Sequence, residues 1–240
     1  MSNLEYLARK KQSLWENNPV LVQLLGLSPV LAVSTTLVNG ISLGIATFVV
    51  MTLSCISVSL LRSQLNSNWR FTWFLIIMAS YTTAIDLLMQ WLYFPLYKEL
   101  GIYVPLICCN LAILVRMEVH ASSHHWKLAA FDAGKSGIAY FIAIVLLAGL
   151  RELIGQGTLF SNWHLLLPST SLIDDSLIAV PPQTAFGFAR LQPMALILLG
   201  IIVAVKNYTD SYFEKEMDVD TETENSTPVQ RARVTGRIKK

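Results

Sequence analysis

Apolar runs long enough to cross a bilayer, separated by short polar stretches, dominate the chain. A hydrocarbon core of about 30 Å needs roughly 20 such residues in a helix. Residues 40–61, 71–94 and 128–150 meet that requirement without interruption. Three other runs are poorer. Residues 19–38 are interrupted by Gly26 and Pro29, and residues 96–115 contain Lys98, Glu99, Gly101 and Pro105. Residues 191–205 are short but flanked by Arg190 and Lys206, which can snorkel to the interfaces. The pattern predicts an all-α integral membrane protein with six transmembrane helices. Its membrane domain spans 19–206, between an N-terminal segment (1–18) and a polar tail (207–240).

Composition agrees. The chain is 53% hydrophobic with a mean hydropathy of +0.50. Only 14% of residues are charged, against about 25% in an ordinary soluble domain. Of the 34 charged residues, 18 lie in segments 1–18 and 207–240, leaving too few to cover a water-soluble surface in between. A cytosolic enzyme, a disordered chain and a disulfide scaffold are excluded, and a net charge of +2 gives no footing for nucleic acid. Trp15 to Asn18 interrupts the apolar stretch after Arg9, Lys10 and Lys11, so no cleavable signal is read there.

Basic residues orient the six crossings. With the N-terminus in the cytoplasm, that side collects Arg9, Lys10, Lys11, Arg62, Arg70, Arg116, Lys127, Lys135, Lys206 and Lys215. The outer side receives Lys98, Arg151 and Arg190. This asymmetry predicts both termini inside. The outer connection 155–190, with Pro168, Pro181, Pro182, Asp174 and Asp175, is the long one. The tail is acidic over 210–224 and basic over 231–240, a composition expected to be disordered.

The six crossings divide into three plus three, and the first helix of each triplet carries the Gly and Pro residues. Interrupted helices at matching places in two halves point to a midplane site in inverted-repeat membrane proteins. An odd number of crossings per half makes the second triplet run opposite to the first. A short echo supports duplication: Gly40-Ile-Ser-Leu-Gly-Ile-Ala46 against Gly134-Lys-Ser-Gly-Ile-Ala139, with one gap. The competing reading is that Pro29 and Pro105 only kink two packed helices.

Several polar residues compete for a role. Asp86 stands in an apolar helix, where a carboxylate by default marks an ion route; the alternative is a bond to Thr82, Thr83 or Gln90. Asp132 and Lys135 are spaced to pair. Arg116, Glu118, Arg151 and Glu152 sit at helix ends, where structural pairing or contact with a partner is the expectation. His120, His124 and His125 have helical spacing but no third ligand in view, and read as solvated. Trp15, Trp69, Trp73, Trp91, Tyr93 and Tyr97 read as an interfacial belt. No phosphate-cradling loop or flavin motif is present, so no flavin or nucleotide is expected on this chain.

The broken helices carry a resemblance. The stretch from Leu14 to Ser34, including Leu25-Gly-Leu-Ser-Pro29, resembles the opening of the E-type subunits of the Rnf (Rsx) electron transport complex. That family is related to a membrane component, the D type, of the sodium-pumping NADH:quinone oxidoreductase. Leu100-Gly-Ile-Tyr-Val-Pro-Leu-Ile107, Asn110, Arg116-Met-Glu118, residues 151–160 and Ala204-Val-Lys-Asn207 also match, so the resemblance covers roughly 14–210. It implies two inverted three-helix repeats paired with a homologous A-type subunit of opposite topology, alongside other Rnf subunits. It also implies a [2Fe–2S] cluster shared with that A-type partner near the midplane. The complex would couple electron transfer between reduced ferredoxin and NAD to ion translocation, with this chain a non-autonomous part of it.

One departure stands against those matches. The family presents a cysteine in each broken helix, and those positions here are Ser28 and Leu111. A [2Fe–2S] centre is held by four thiolates, and leucine cannot ligate iron. Cys108 and Cys109 lie just before Leu111. On a regular helix Cys108 would share its face, displaced by about 4.5 Å along the axis. The cluster is therefore expected to be altered or absent. Two functions follow: a membrane subunit of an Rnf-type redox complex, or an inverted-repeat ion or small-solute transporter without redox chemistry.

Overall fold

A computed structural model describes residues 19–62, 69–160, 178–179 and 191–225. The N-terminal segment, most of the outer connection and the basic end of the tail lie outside the described residues. The chain clusters into two compact units, Met1–Gly200 and Ile201–Lys240.

The element order is α1 (Leu27–Val33), α2 (Leu37–Leu61), α3 (Arg70–Leu92), α4 (Phe94–Leu100), a 3-10 helix (Val104–Cys109) and α5 (Leu111–Arg116). A π-helical turn (Met117–Ala121), α6 (Trp126–Gln156) and α7 (Gln192–Asn225) follow. Apart from the two-residue strands β1 (Thr158–Leu159) and β2 (Ile178–Ala179), the described residues carry helices and turns. Among the described residues, four helices are long and apolar enough to span a bilayer: Leu37–Leu61, Arg70–Leu92, Trp126–Gly155 and Gln192–Ser211. The other two expected crossings, 19–38 and 96–115, are not single helices. Each is divided into short pieces, α1 in the first and α4, the 3-10 helix and α5 in the second.

The prolines are not where the helices stop. Pro29 occupies the first turn of α1 and Pro105 the start of the 3-10 helix, positions whose N–H groups have no intrahelical acceptor in any case. The breaks fall at Gly26, at Ser34 to Thr36, at Asn110 and at Ser122 to His125. Gly26 has φ +69°, a left-handed conformation, and a Cβ there would run into the Asn110 side chain.

The two long helices α2 and α6 form the core and run antiparallel. A Cβ on Gly40 would stand 2.7 Å from Ala148 Cβ, one on Gly44 would stand 2.7 Å from a Phe141 ring carbon, and Gly149 faces Leu37. A Cβ on Gly137 would stand 2.7 Å from the ring of Phe48. These contacts fall within two stretches of nearly the same sequence, Gly44-Ile-Ala-Thr-Phe48 and Gly137-Ile-Ala-Tyr-Phe141. Each glycine receives the other stretch's phenylalanine. Small residues that admit close approach drive helix association in lipid, where no hydrophobic force separates helix from solvent.

α3 packs on α2, with the Ser57 and Tyr81 hydroxyls 2.6 Å apart. Its other face exposes Phe71, Trp73, Ile76, Leu87 and Leu88, as a lipid- or partner-facing surface requires. Trp69 and Trp91 are exposed at its two ends, where an interfacial belt belongs. α7 continues to Asn225, so helical backbone occupies part of the tail expected to be disordered. An established helix extends without a new nucleation cost, and Lys206 pairs with Asp210 one turn on.

The Gly–Phe interlock is testable by size. Gly44→Leu forces a side chain into the Phe141 ring and is expected to lower stability by about 1–3 kcal/mol. Gly134, with no neighbour within 4 Å of its would-be Cβ, should accept leucine without loss, as read by thermal unfolding in detergent or nanodiscs.

Candidate functional site

The amino ends of the two short helices meet. Asn110 caps α5, its Oδ1 accepting from the Ala112 N–H at 3.0 Å. The same side chain lies against Gly26, at the start of α1, and the Tyr140 hydroxyl of α6 donates to the Gly26 carbonyl oxygen at 3.2 Å. The family's two ligand positions flank this contact. Ser28 is the second residue of α1 and exposed; Leu111 is the first of α5 and 54% exposed. Sequence reasoning placed these two residues in matching breaks, and the fold brings those breaks together on an accessible surface. Tyr140 was missed. Its signal was its place eight residues beyond Asp132 on one α6 face.

The donor set does not fit the family's cluster. A hydroxyl and an isobutyl group stand where two thiolates are required. Nor does regular helix geometry connect Cys108 to Leu111. Cys108 and Cys109 end the 3-10 helix, and Asn110 is extended, with φ −75° and ψ 107°, before α5 begins. Cys108 is half-buried, Cys109 exposed and Cys55 buried in α2.

Two of the breaks, at 34–36 and at 122–125, are closed by side chains from the far end of the opposite long helix. Arg151, near the carboxyl end of α6 and 1% exposed, donates from Nη1 to the Leu31 carbonyl oxygen at 3.1 Å and to Ser34 Oγ at 2.7 Å. The adjacent Glu152, wholly buried, accepts from the Leu37 N–H at 2.5 Å with Oε2. A cation thus meets the carbonyl end of α1 and an anion meets the amide end of α2, which is the polarity helix dipoles favour. Thr36 Oγ1 adds a cap to Asn39 N–H at 3.3 Å. At the other end of the core, Ser59 Oγ of α2 donates to the His124 carbonyl oxygen at 2.7 Å and Arg62 Nη1 to that of Ser123 at 3.4 Å. Arg70 of α3 reaches the Glu118 carbonyl and carboxylate oxygens, both at 3.3 Å.

Asp132 does not pair with Lys135. Its carboxylate accepts from Arg116 Nη1 at 3.1 and 3.3 Å, with His120 Nδ1 at 3.9 Å. Lys135 instead lies over the Phe131 ring, 4.6 Å from its centroid. The turns ahead of α6 bring Arg116 and His120 to the carboxylate. His120 and His124 stack with centroids 5.9 Å apart. Asp86 is half-buried in α3, and its Oδ1 has no hydrogen-bond partner among the described residues. Thr82 Oγ1 is likewise unpartnered, and Thr83 donates to the Ala79 carbonyl oxygen at 2.9 Å, so the bond expected from either threonine is not made.

A family profile described as "Rnf-Nqr subunit, membrane protein" matches residues 6–203. The chain is 40% identical over 238 residues to the E-type subunit of the ion-translocating oxidoreductase complex of Pseudomonas aeruginosa strain UCBPP-PA14, covering 99% of this chain and all of that one. It is 42% identical over 226 residues to the protein of the same name from Pseudoalteromonas atlantica, covering 93% and 95% of the two chains. With that of Shewanella oneidensis it shares 40% identity over 225 residues, again 93% and 95% of the two.

The closure of the first break predicts an asymmetry between its two charged residues. Arg151→Met strips the donor from two acceptors at once and is expected to cost about 3 kcal/mol of stability. Glu152→Gln keeps an oxygen for Leu37 N–H and should cost about 1 kcal/mol. Heat-induced loss of the monodisperse species on gel filtration orders the two.

Proposed function

The chain belongs to the Rnf-Nqr family of membrane subunits, and on that premise we propose that it is the E-type subunit of an ion-translocating oxidoreductase complex. The observation that carries the reading is the match along nearly the whole chain to relatives named as that subunit. It also favours this role over a self-sufficient solute transporter. The protein works within a complex in the bacterial inner membrane that couples electron transfer between reduced ferredoxin and NAD to ion movement. Its partners include the complex's other subunits and a homologous A-type subunit of opposite orientation.

Within that reading the chain makes six crossings in two inverted triplets, two of them broken. Three features support this: the interlocked Gly-Ile-Ala-x-Phe stretches, the antiparallel α2–α6 pair, and the closure of the breaks ahead of α2 and α6 by the far end of the opposite long helix. Arg62 and Arg70 bond to the turns ahead of α6, where Arg116 also lies, while Arg151 belongs to the opposite end of α6. That separation supports a cytoplasmic face at the amino end of α6 and both termini inside.

The exposed Ser28–Leu111 surface is the docking face for the A-type partner. With no thiolate at either position, this chain contributes no ligand there to a [2Fe–2S] cluster, and its part is to scaffold the complex and to conduct ions. Asp86, with a buried and unpartnered oxygen in a spanning helix, is its ion-handling carboxylate.

Affinity purification of the tagged chain is expected to bring down the flavin- and ferredoxin-type subunits; a chain purified alone would contradict the assignment. A reporter fused after residue 160 should be active outside the cytoplasm, and one after residue 206 inside. In the intact complex, Asp86→Asn should lower ion transport at least tenfold while leaving assembly intact. Iron in excess of the soluble subunits, lost on Cys108→Ala, would contradict the absence of ligation by this chain.

A further inference from the structure

Asp132, Ser136 and Tyr140 follow at intervals of four along α6, so they share one face, about 6 Å apart along the axis. At one end of this file stands the Arg116–Asp132 pair, with the Asp132 side chain 31% exposed. At the other the Tyr140 hydroxyl bonds to the Gly26 carbonyl oxygen, with Asn110 alongside. α5 therefore runs antiparallel to α6, from Arg116 opposite Asp132 to Asn110 beside Tyr140, and Ser136 falls between these two contacts along α6. Ser136 is 3% exposed and Asn110 is fully buried. Ser136 Oγ has no hydrogen-bond partner among the described residues. A hydroxyl within a helix ordinarily bonds to the carbonyl four residues back, as Ser42, Thr47 and Thr52 do on α2. Ser136 does not. In apolar surroundings an unmet polar group is costly, and buried groups of this kind are held by water.

We propose that this face of α6 is a water-lined proton path from the Arg116–Asp132 pair to the break at Gly26, with Ser136 as its relay. Ser136 Oγ accepts a proton from a water on one side and releases its own to a water on the other. One proton moves and the hydroxyl is unchanged. Two features favour a proton over a metal cation. Arg116 matches the charge of Asp132 at the mouth, leaving no free anion there. Oxygens about 6 Å apart cannot surround a dehydrated metal ion, which needs several ligands at once, whereas a proton needs one acceptor at a time. That this proton is the complex's translocated ion rests on the function proposed above; hydration of the face does not.

Silver-ion accessibility tests the hydration directly. In native membranes holding the whole complex, Ser136→Cys and Val50→Cys are treated with silver, and the thiols still free after unfolding are mapped by mass spectrometry. Both positions are buried, but Ser136→Cys should react at least tenfold faster. Equal rates would overturn the proposal. Proton transfer is read separately in proteoliposomes. Ser136→Ala should lower electron-driven proton uptake severalfold without lowering thermal stability, because its hydroxyl bonds to no described residue, while Ser136→Thr should retain uptake. Loss of sodium uptake in its place, or a stability loss matching the activity loss, would overturn the relay role.

Discussion

Backbone amides and carbonyls at a helix break have no bulk water to bond in a bilayer, so each break must be closed by protein or line a water-filled cavity. That obligation organises the fold. The chain interrupts its helices at Gly26, at 34–36, at Asn110 and at 122–125, and closes two of these interruptions from the opposite long helix. Arg151 and Glu152 serve the carbonyl end of α1 and the amide end of α2. Ser59 and Arg62 serve the carbonyls ahead of α6. Neither long helix can be placed without the other, because each carries the groups that complete the other's start. The Gly–Phe interlock between them sets the register in which those groups arrive.

This arrangement fixes where chemistry can occur. With the breaks at 34–36 and 122–125 sealed by charged and hydroxyl groups, those at Gly26 and Asn110 face each other beside Tyr140. They open onto the surface that carries Ser28 and Leu111. A hydroxyl and an isobutyl group stand there in place of the two thiolates expected from the family resemblance. The polar face of α6 leads to the same place.

Much of this was legible in the sequence and some was not. Apolar run lengths located the four long helices and their amino ends to within three residues, though α6 and α7 run on to Gln156 and Asn225, and glycine and proline marked the two segments that break. The prolines misled about position, since Pro29 and Pro105 start short helices and the stops lie elsewhere. The short echo of Gly-Ile-Ala was visible; extending it by two residues would have found Phe48 and Phe141. Partners distant in sequence were not legible. Glu152 caps a helix that begins 115 residues earlier, and no local spacing announces that. Asp132 was assigned to Lys135 on helical spacing, but the turn before α6 delivers Arg116 instead. The helix through part of the acidic tail was hidden because composition describes an isolated segment, not one continuing an existing helix.

Reciprocal closure is tested most directly by an experimental density map of the chain within its complex. The account predicts a discontinuity between Val33 and Leu37 with the Glu152 carboxylate on the Leu37 amide and the Arg151 guanidinium on the Leu31 carbonyl. It also predicts Ser59 at the carbonyls before α6. A continuous helix through residues 34–36, or Arg151 and Glu152 turned outward to lipid headgroups, would contradict it.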